Sequence, residues 1–128
     1  MKRIRYIPAV LVSIALAVLS LIEAPRLVLE TGLSDKTLHT MGYVVQAATL
    51  LWAFWRSSAL LKSRAAAITF AYTVLLGGAL ELLQAWCTRT RSGEWLDLAA
   101  DAIGALVGIG ITALLLHLTD KKHLCNRN

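Results

Sequence analysis

The chain has 128 residues, 57% of them hydrophobic, and a positive mean hydropathy. This composition is too apolar for an ordinary soluble domain and predicts that most of the chain lies in a lipid bilayer. The formal net charge of +5 comes from short basic blocks without interleaved aromatic residues, which argues against nucleic acid as a partner.

Four apolar stretches are long enough to cross a membrane, since a span needs roughly 17 to 25 residues. They predict helices at about 6–22, 37–55, 65–86 and 96–118. Too few residues remain for a soluble domain. We therefore expect an all-α membrane protein with four transmembrane helices, forming a single domain over residues 1–128.

Basic residues outside these stretches predict the orientation. They lie in the N-terminal tail, the second loop and the C-terminal tail: Lys2, Arg3, Arg5, Arg56, Lys62, Arg64, Lys121, Lys122 and Arg127. By the positive-inside rule, these segments and both termini are cytoplasmic. The first run resembles a secretory signal, but bulky Ile22 stands where cleavage needs a small residue, so we expect an uncleaved anchor.

The second predicted helix carries a polar stripe. Ser34 is suited to cap its N-terminus, and Asp35, His39 and Tyr43 follow at i, i+4 and i+8 on one face. Gln46 lies close to the same stripe. Because lipid cannot accept such a face, we expect it to point into a bundle or a water-filled cavity.

The third and fourth helices bring acidic residues to the same depth. Glu81 and Gln84 lie near the outer end of the third helix, and Asp97 and Asp101 lie in the first turns of the fourth. A charge in hydrocarbon costs roughly 2.5 to 3.5 kcal/mol even on lenient scales, so several at one level indicate a shared site. We expect this polar level to be confined to the outer half of the membrane.

Small residues predict close helix packing. Ala100, Gly104 and Gly108 recur every four residues and form a ridge on the fourth helix. Such ridges let helix backbones approach closely. Gly77 and Gly78, just below Glu81, predict that the third and fourth helices touch.

The order of these residues resembles the VanZ-like family of small bacterial integral membrane proteins. The pattern is Asp35-Lys36-x2-His39-x3-Tyr43, Glu81-x2-Gln84, Arg91, and Asp97-x3-Asp101-x2-Gly104-x3-Gly108. The resemblance implies a multi-pass protein of the bacterial cytoplasmic (inner) membrane and cell envelope. The founding member is associated with resistance to the glycopeptide teicoplanin. Asp101 stands where family members often have Asn, which adds a second ionisable carboxyl group to the site.

The polar residues divide into two expected roles. The candidate catalytic residues are His39, Glu81 and Asp101, because a protonated carboxyl group could serve as acid and the imidazole as base. The candidate substrate-binding residues are Asp35, Lys36, Tyr43, Gln84, Arg91 and Asp97. Lys36 and Arg91 at the outer mouth could hold a phosphate or carboxylate.

Three functions fit this pattern. The first is an outward-facing site that binds an envelope lipid intermediate or a glycopeptide, or that supports another envelope protein. The second is an intramembrane hydrolase or transferase acting on lipid-linked phosphates, although no residue marks a nucleophile at a recognisable spacing. The third is a small proton-coupled transporter; small multidrug exporters place their key Glu in the first span, and this first span has none.

We expect no cofactor and no metal ion. A metal held by His39, Glu81, Asp97 and Asp101 is the disfavoured alternative, because the four residues lack the local spacing typical of ligand pairs.

Overall fold

The structure, a computed structural model, describes four stretches of the chain: residues 3–21, 34–57, 62–87 and 95–125. Each stretch contains one long helix: α1 (Ile7–Leu21), α2 (Asp35–Ser57), α3 (Lys62–Cys87) and α4 (Trp95–Cys125). A short 3₁₀ helix, Arg3–Tyr6, precedes α1. The described residues contain no strand, which confirms the all-α class for this part of the chain.

Three of these helical stretches are long and apolar enough to cross a membrane. They are Arg3–Leu21, Lys62–Cys87 and Trp95–Lys122. The 23 residues of α2 are not among them, because its polar stripe lowers its hydropathy. Three helices of this kind suggest a membrane protein.

The described bundle buries many polar side chains beside apolar ones and exposes large apolar side chains. Its largest fully buried side chains include Gln46, Thr73 and Asp101. Large apolar side chains such as Leu75 and Leu82 are instead exposed, at 72% and 59%. A soluble bundle would bury these apolar groups, whereas lipid accepts them and rejects the polar interior. The distribution therefore fits a surface that faces hydrocarbon.

Contacts between helix ends give the directions of the first three helices. Arg5, before α1, donates a hydrogen bond to the carbonyl of Arg56 at the end of α2. Gln84, near the end of α3, donates from Nε2 to the carbonyl of Ser20 near the end of α1, at 2.8 Å. Thus α1 and α3 run in parallel, and α2 runs against both.

The ridge of small residues on α4 packs against α2. A Cβ atom added to Gly104 would lie 2.5 Å from the carbonyl oxygen of Thr40. One turn further, Gly108 meets the carbonyl of Val44. Only glycine allows α4 to approach the α2 backbone this closely, which increases van der Waals contact between helices that gain little from the hydrophobic effect in lipid.

An acidic residue joins the ends of α2, α3 and α4. Trp55 Nε1 donates to Asp120 Oδ2 at 3.1 Å, and Lys62 Nζ lies 3.6 Å from the same oxygen. Arg56 lies 3.9 Å from Asp120, and the Lys62 ammonium group lies 4.4 Å from the centre of the Trp55 ring. The ends of α2 and α4 are therefore on the same side of the bundle as the start of α3.

Candidate functional site

Three helices bring the candidate catalytic residues together. His39 of α2 places Nδ1 3.0 Å from Oδ1 of Asp101 on α4 and 3.9 Å from Oε1 of Glu81 on α3. Asp101 is fully buried, and His39 and Glu81 are nearly so. We call these three residues the acidic cluster. Their meeting supports the predicted shared level of polar residues.

A glycine makes room for the most buried carboxylate. A Cβ atom at Gly77 of α3 would lie 2.5 Å from Oδ2 of Asp101. α3 and α4 therefore touch at this level, as the glycine pair predicted. Asp101 is held between the Gly77 backbone on one side and the His39 ring on the other.

Tyr43 lies one turn deeper on α2 and contacts the cluster through its ring. The rings of His39 and Tyr43 stack with an interplanar angle of 12° and centroids 6.3 Å apart. Tyr43 is 1% exposed, and its hydroxyl has no hydrogen-bond partner among the described residues.

The outer rim of the cluster is an ion pair. Lys36 Nζ lies 3.7 Å from Asp97 Oδ1, with Lys36 about half exposed and Asp97 buried. Asp97 therefore offsets the charge that Lys36 was expected to offer to an anion. Asp35 begins α2, but its side chain lies outside the described part of the structure, and so does Arg91. Their binding roles stay predictions.

Gln84 has a structural contact in addition to its predicted role. Its Nε2 binds the Ser20 carbonyl, so the amide ties α3 to α1. The first span thereby contributes to positioning the helix that carries Glu81.

The polar interior reaches deeper than the sequence predicted. Thr69 and Thr73 are fully buried on the same face of α3 as Glu81, and Thr69 lies about 18 Å of helix rise from it. Gln46 of α2 and Thr112 of α4 are buried as well. Buried polar side chains therefore continue well beyond the level of the acidic cluster. Which of them lie in the outer half of the membrane stays a prediction. The four-residue spacing of Thr69, Thr73, Gly77 and Glu81 is the signal that could have revealed this continuation.

An apolar groove runs between α3 and α4 and ends at the cluster. It has a volume of about 610 Å³ and is lined by side chains that include Leu75, Ala79, Leu82, Trp95 and Leu98. Glu81 is the charged residue in its lining. The groove was not predicted, because it arises from how two helices pack and from no local pattern.

The electrostatics of the cluster favour a cation over an anion. Two carboxyl groups share one imidazole in a buried site, and with both of them ionised the cluster is negative even when the imidazole is protonated. Each of the three residues offers one ligand atom, and these atoms all lie within 4.8 Å of one another. Asp97, the fourth member of the disfavoured metal alternative, is not part of this group. In metal-free form, Asp101 can orient the His39 ring by accepting from Nδ1–H.

Comparison with protein-family models, with curated proteins and with solved structures finds no match for this chain.

Proposed function

We propose that this chain is a VanZ-like membrane protein of the bacterial cell envelope that binds a lipid-linked phosphate intermediate. The observation that carries the proposal is the position of Glu81, which belongs to the acidic cluster and also lines the apolar groove. An amphipathic lipid needs both environments side by side. Its hydrocarbon chain would lie in the groove and its head group at the cluster.

The groove suits a lipid chain in size and chemistry. Ligand pockets in proteins measure roughly 300 to 1,000 Å³ and are mostly apolar, with a few polar groups that fix orientation. Here Leu82 and Leu98 supply apolar walls, and Glu81 supplies the polar end. Since the groove lies between two helices of membrane-spanning length, a lipid could enter it sideways from the bilayer.

We further propose that α2 is a fourth span and that both termini are cytoplasmic. α2 packs against α1, α3 and α4, and His39, Tyr43 and Gln46 of its polar stripe are buried. The basic residues of the second loop and the C-terminal tail then lie on one side of the inner membrane, with Asp120 among them. The acidic cluster would open toward the outer leaflet.

A titration with a polyprenyl phosphate tests lipid binding. Trp95 lines the groove, so lipid entry should change its fluorescence in a saturable way. Ala79→Phe places a ring in the groove and should abolish the change. Leu83→Phe, at an exposed position of the same helix that does not line the groove, should leave it intact.

The binding proposal fails if wild-type protein in detergent shows no saturable change, or if both phenylalanine variants behave alike. Teicoplanin is titrated in the same way, because a glycopeptide is the alternative ligand. If teicoplanin gives a saturable change and the polyprenyl phosphate gives none, the proposed ligand class, a lipid-linked phosphate, is wrong. A role in resistance, which rests on the family resemblance, predicts that expression raises the teicoplanin concentration needed to stop growth and that Glu81→Gln removes the effect.

Hydrolysis of the phosphate ester is the second candidate, favoured by the bond between His39 and Asp101. Asp101 would hold the ring while Nε2 takes a proton from water, whose oxygen bonds to phosphorus. The bond from phosphorus to the leaving oxygen breaks, and protonated Glu81 returns a proton to that oxygen. Release of phosphate by purified protein, lost in His39→Gln, would establish this reaction; stable binding without product would exclude it.

Proton-coupled transport is the remaining alternative. Buried Thr69 and Thr73 of α3 lengthen the polar stretch that Gln46 continues below the cluster. Vesicles reconstituted with the protein would be tested for proton-driven uptake of a dye. Uptake that Glu81→Gln stops would favour transport over lipid binding.

A further inference from the structure

We propose that His39, Glu81 and Asp101 bind one divalent transition-metal ion, of the kind represented by Zn²⁺ and Mn²⁺, and that this ion holds the phosphate head group. The head-group role rests on the proposed function, whereas metal binding itself does not require the lipid. The sequence favoured the absence of a metal because it offered no local ligand pair. The structure assembles the ligands from three separate helices.

The donor set is one that such ions accept. Imidazole nitrogens and carboxylate oxygens both bind such ions, and sites with three protein ligands keep a further position for water or substrate. Bonds to nitrogen and oxygen are roughly 2.0 to 2.2 Å long, so ligand atoms around a tetrahedral ion lie about 3.4 Å apart. His39 Nδ1 lies 3.0 Å from Asp101 and 3.9 Å from Glu81, on either side of that spacing.

Charge gives an independent reason for a cation. Ionised Glu81 and Asp101 place two negative charges around one position, and charge in a membrane interior is costly. Among the described residues, Lys36 is paired with Asp97 at the rim. A divalent cation bound by two carboxylates would leave the cluster neutral.

The buried hydroxyl of Tyr43 is a second indication that a polar ligand binds at the cluster. Its hydroxyl is buried without a hydrogen-bond partner among the described residues, although burying such a group unpaired costs about 1 to 3 kcal/mol. The Tyr43 ring stacks on the His39 ring of the cluster. An oxygen ligand carried by the ion would supply an acceptor for this hydroxyl.

The ion would also explain how an acidic cluster can bind the negatively charged phosphate of the proposed lipid. Without it, ionised Glu81 and Asp101 would repel a phosphate group. With it, the site presents a cation at the end of the apolar groove. The same lipid is then attracted at both its tail and its head.

Metal binding is measured on the full-length chain in detergent, after removal of any histidine tag and of bound metal. Isothermal titration with Zn²⁺ and with Mn²⁺ should give one ion per chain for at least one of them. His39→Gln and Glu81→Gln should weaken binding by more than the roughly 10- to 100-fold that loss of an outer-shell partner costs. His117→Gln, at an exposed position on α4, is the matched histidine control and should bind as wild type.

A cobalt spectrum keeps the test independent of how the variants fold. Co²⁺ bound by the wild-type cluster should show visible bands that Zn²⁺ removes when it displaces the cobalt. The proposal is overturned if folded wild-type protein binds none of these ions, or if folded His39→Gln retains wild-type affinity. Because the titration contains no lipid, loss of metal binding with intact lipid binding refutes this inference alone; metal binding without lipid binding refutes the proposed function alone.

Discussion

Asp101 is the carboxylate on which the cluster depends most, since it is fully buried and holds the His39 ring. Replacing this carboxylate with an amide would separate two properties of Asp101, its charge and its hydrogen bond to His39. An amide oxygen can accept the same hydrogen bond from Nδ1–H without a negative charge. A substitution at Asp101 can therefore separate two roles of this residue, holding the His39 ring and supplying a negative charge.

Asp101→Asn should therefore change metal-free stability by less than about 1 kcal/mol, whereas Asp101→Ala should lower it by about 1 to 3 kcal/mol by leaving buried polar groups unpaired. Thermal unfolding in detergent with a chelator present measures both. Equal losses for the two variants would show that the hydrogen bond to His39 is not what Asp101 contributes.

For individual residues, the sequence predicted that His39, Glu81 and Asp101 meet, but it did not predict the contacts of Gln84 and Lys36. Helical rise alone brought Glu81 and Asp101 to one depth, and the His39 spacing put it on the inward face. The bond from Gln84 to Ser20 depends on how α3 is rotated against α1, which no local pattern encodes. The pairing of Lys36 with Asp97 likewise requires knowing that their helices are neighbours.

Among the helices, α2 and α4 make the closest approach, and glycines allow it. Gly104→Ala puts a methyl group against the Thr40 carbonyl, which is backbone and cannot rotate away. We expect a loss of about 1 to 3 kcal/mol of stability from this overpacking. Gly110→Ala is the matched control on the same helix, because a Cβ there meets nothing within 4 Å.

The Gly110 variant should be neutral or more stable by up to about 1 kcal/mol, since alanine is the better helix former. Thermal unfolding of both variants in one detergent gives the comparison. If Gly104→Ala unfolds at the same temperature as Gly110→Ala, the close contact between α2 and α4 is wrong.

The lengths of the helices also differ from the predicted spans. α4 continues to Cys125, whereas its apolar run ends near residue 118. Hydrophobic pattern predicts the part that lies in lipid, and the helix extends beyond it because Asp120 is held by Trp55 and Lys62. Likewise α2 begins at Asp35 because Ser34 caps it, with Oγ accepting from the Thr37 amide at 3.2 Å.

For the whole molecule, the proposed topology makes a prediction that the chain's own cysteines can test. Cys87, an exposed free thiol, is the last residue of α3, and Cys125 is the last of α4. In four spans with cytoplasmic termini, Cys87 faces outward and Cys125 inward. A membrane-impermeant maleimide should label Cys125→Ser protein in intact cells.

Cys87→Ser protein should be labelled by the same reagent only after the membrane is opened. Equal labelling of both variants in intact cells would place the two positions on the same side. That result would remove at least one of the proposed spans or reverse its direction.

The claim on which the account depends is that a lipid occupies the groove beside the acidic cluster. A polyprenyl phosphate carrying a photoreactive group in its chain tests this most directly, with the labelled residues located by mass spectrometry. The account predicts labelling of groove residues such as Leu75, Leu82 and Leu98, reduced by excess unlabelled lipid. Labelling spread over the exposed face of α1, at Val10 and Leu11 for example, without competition would contradict it.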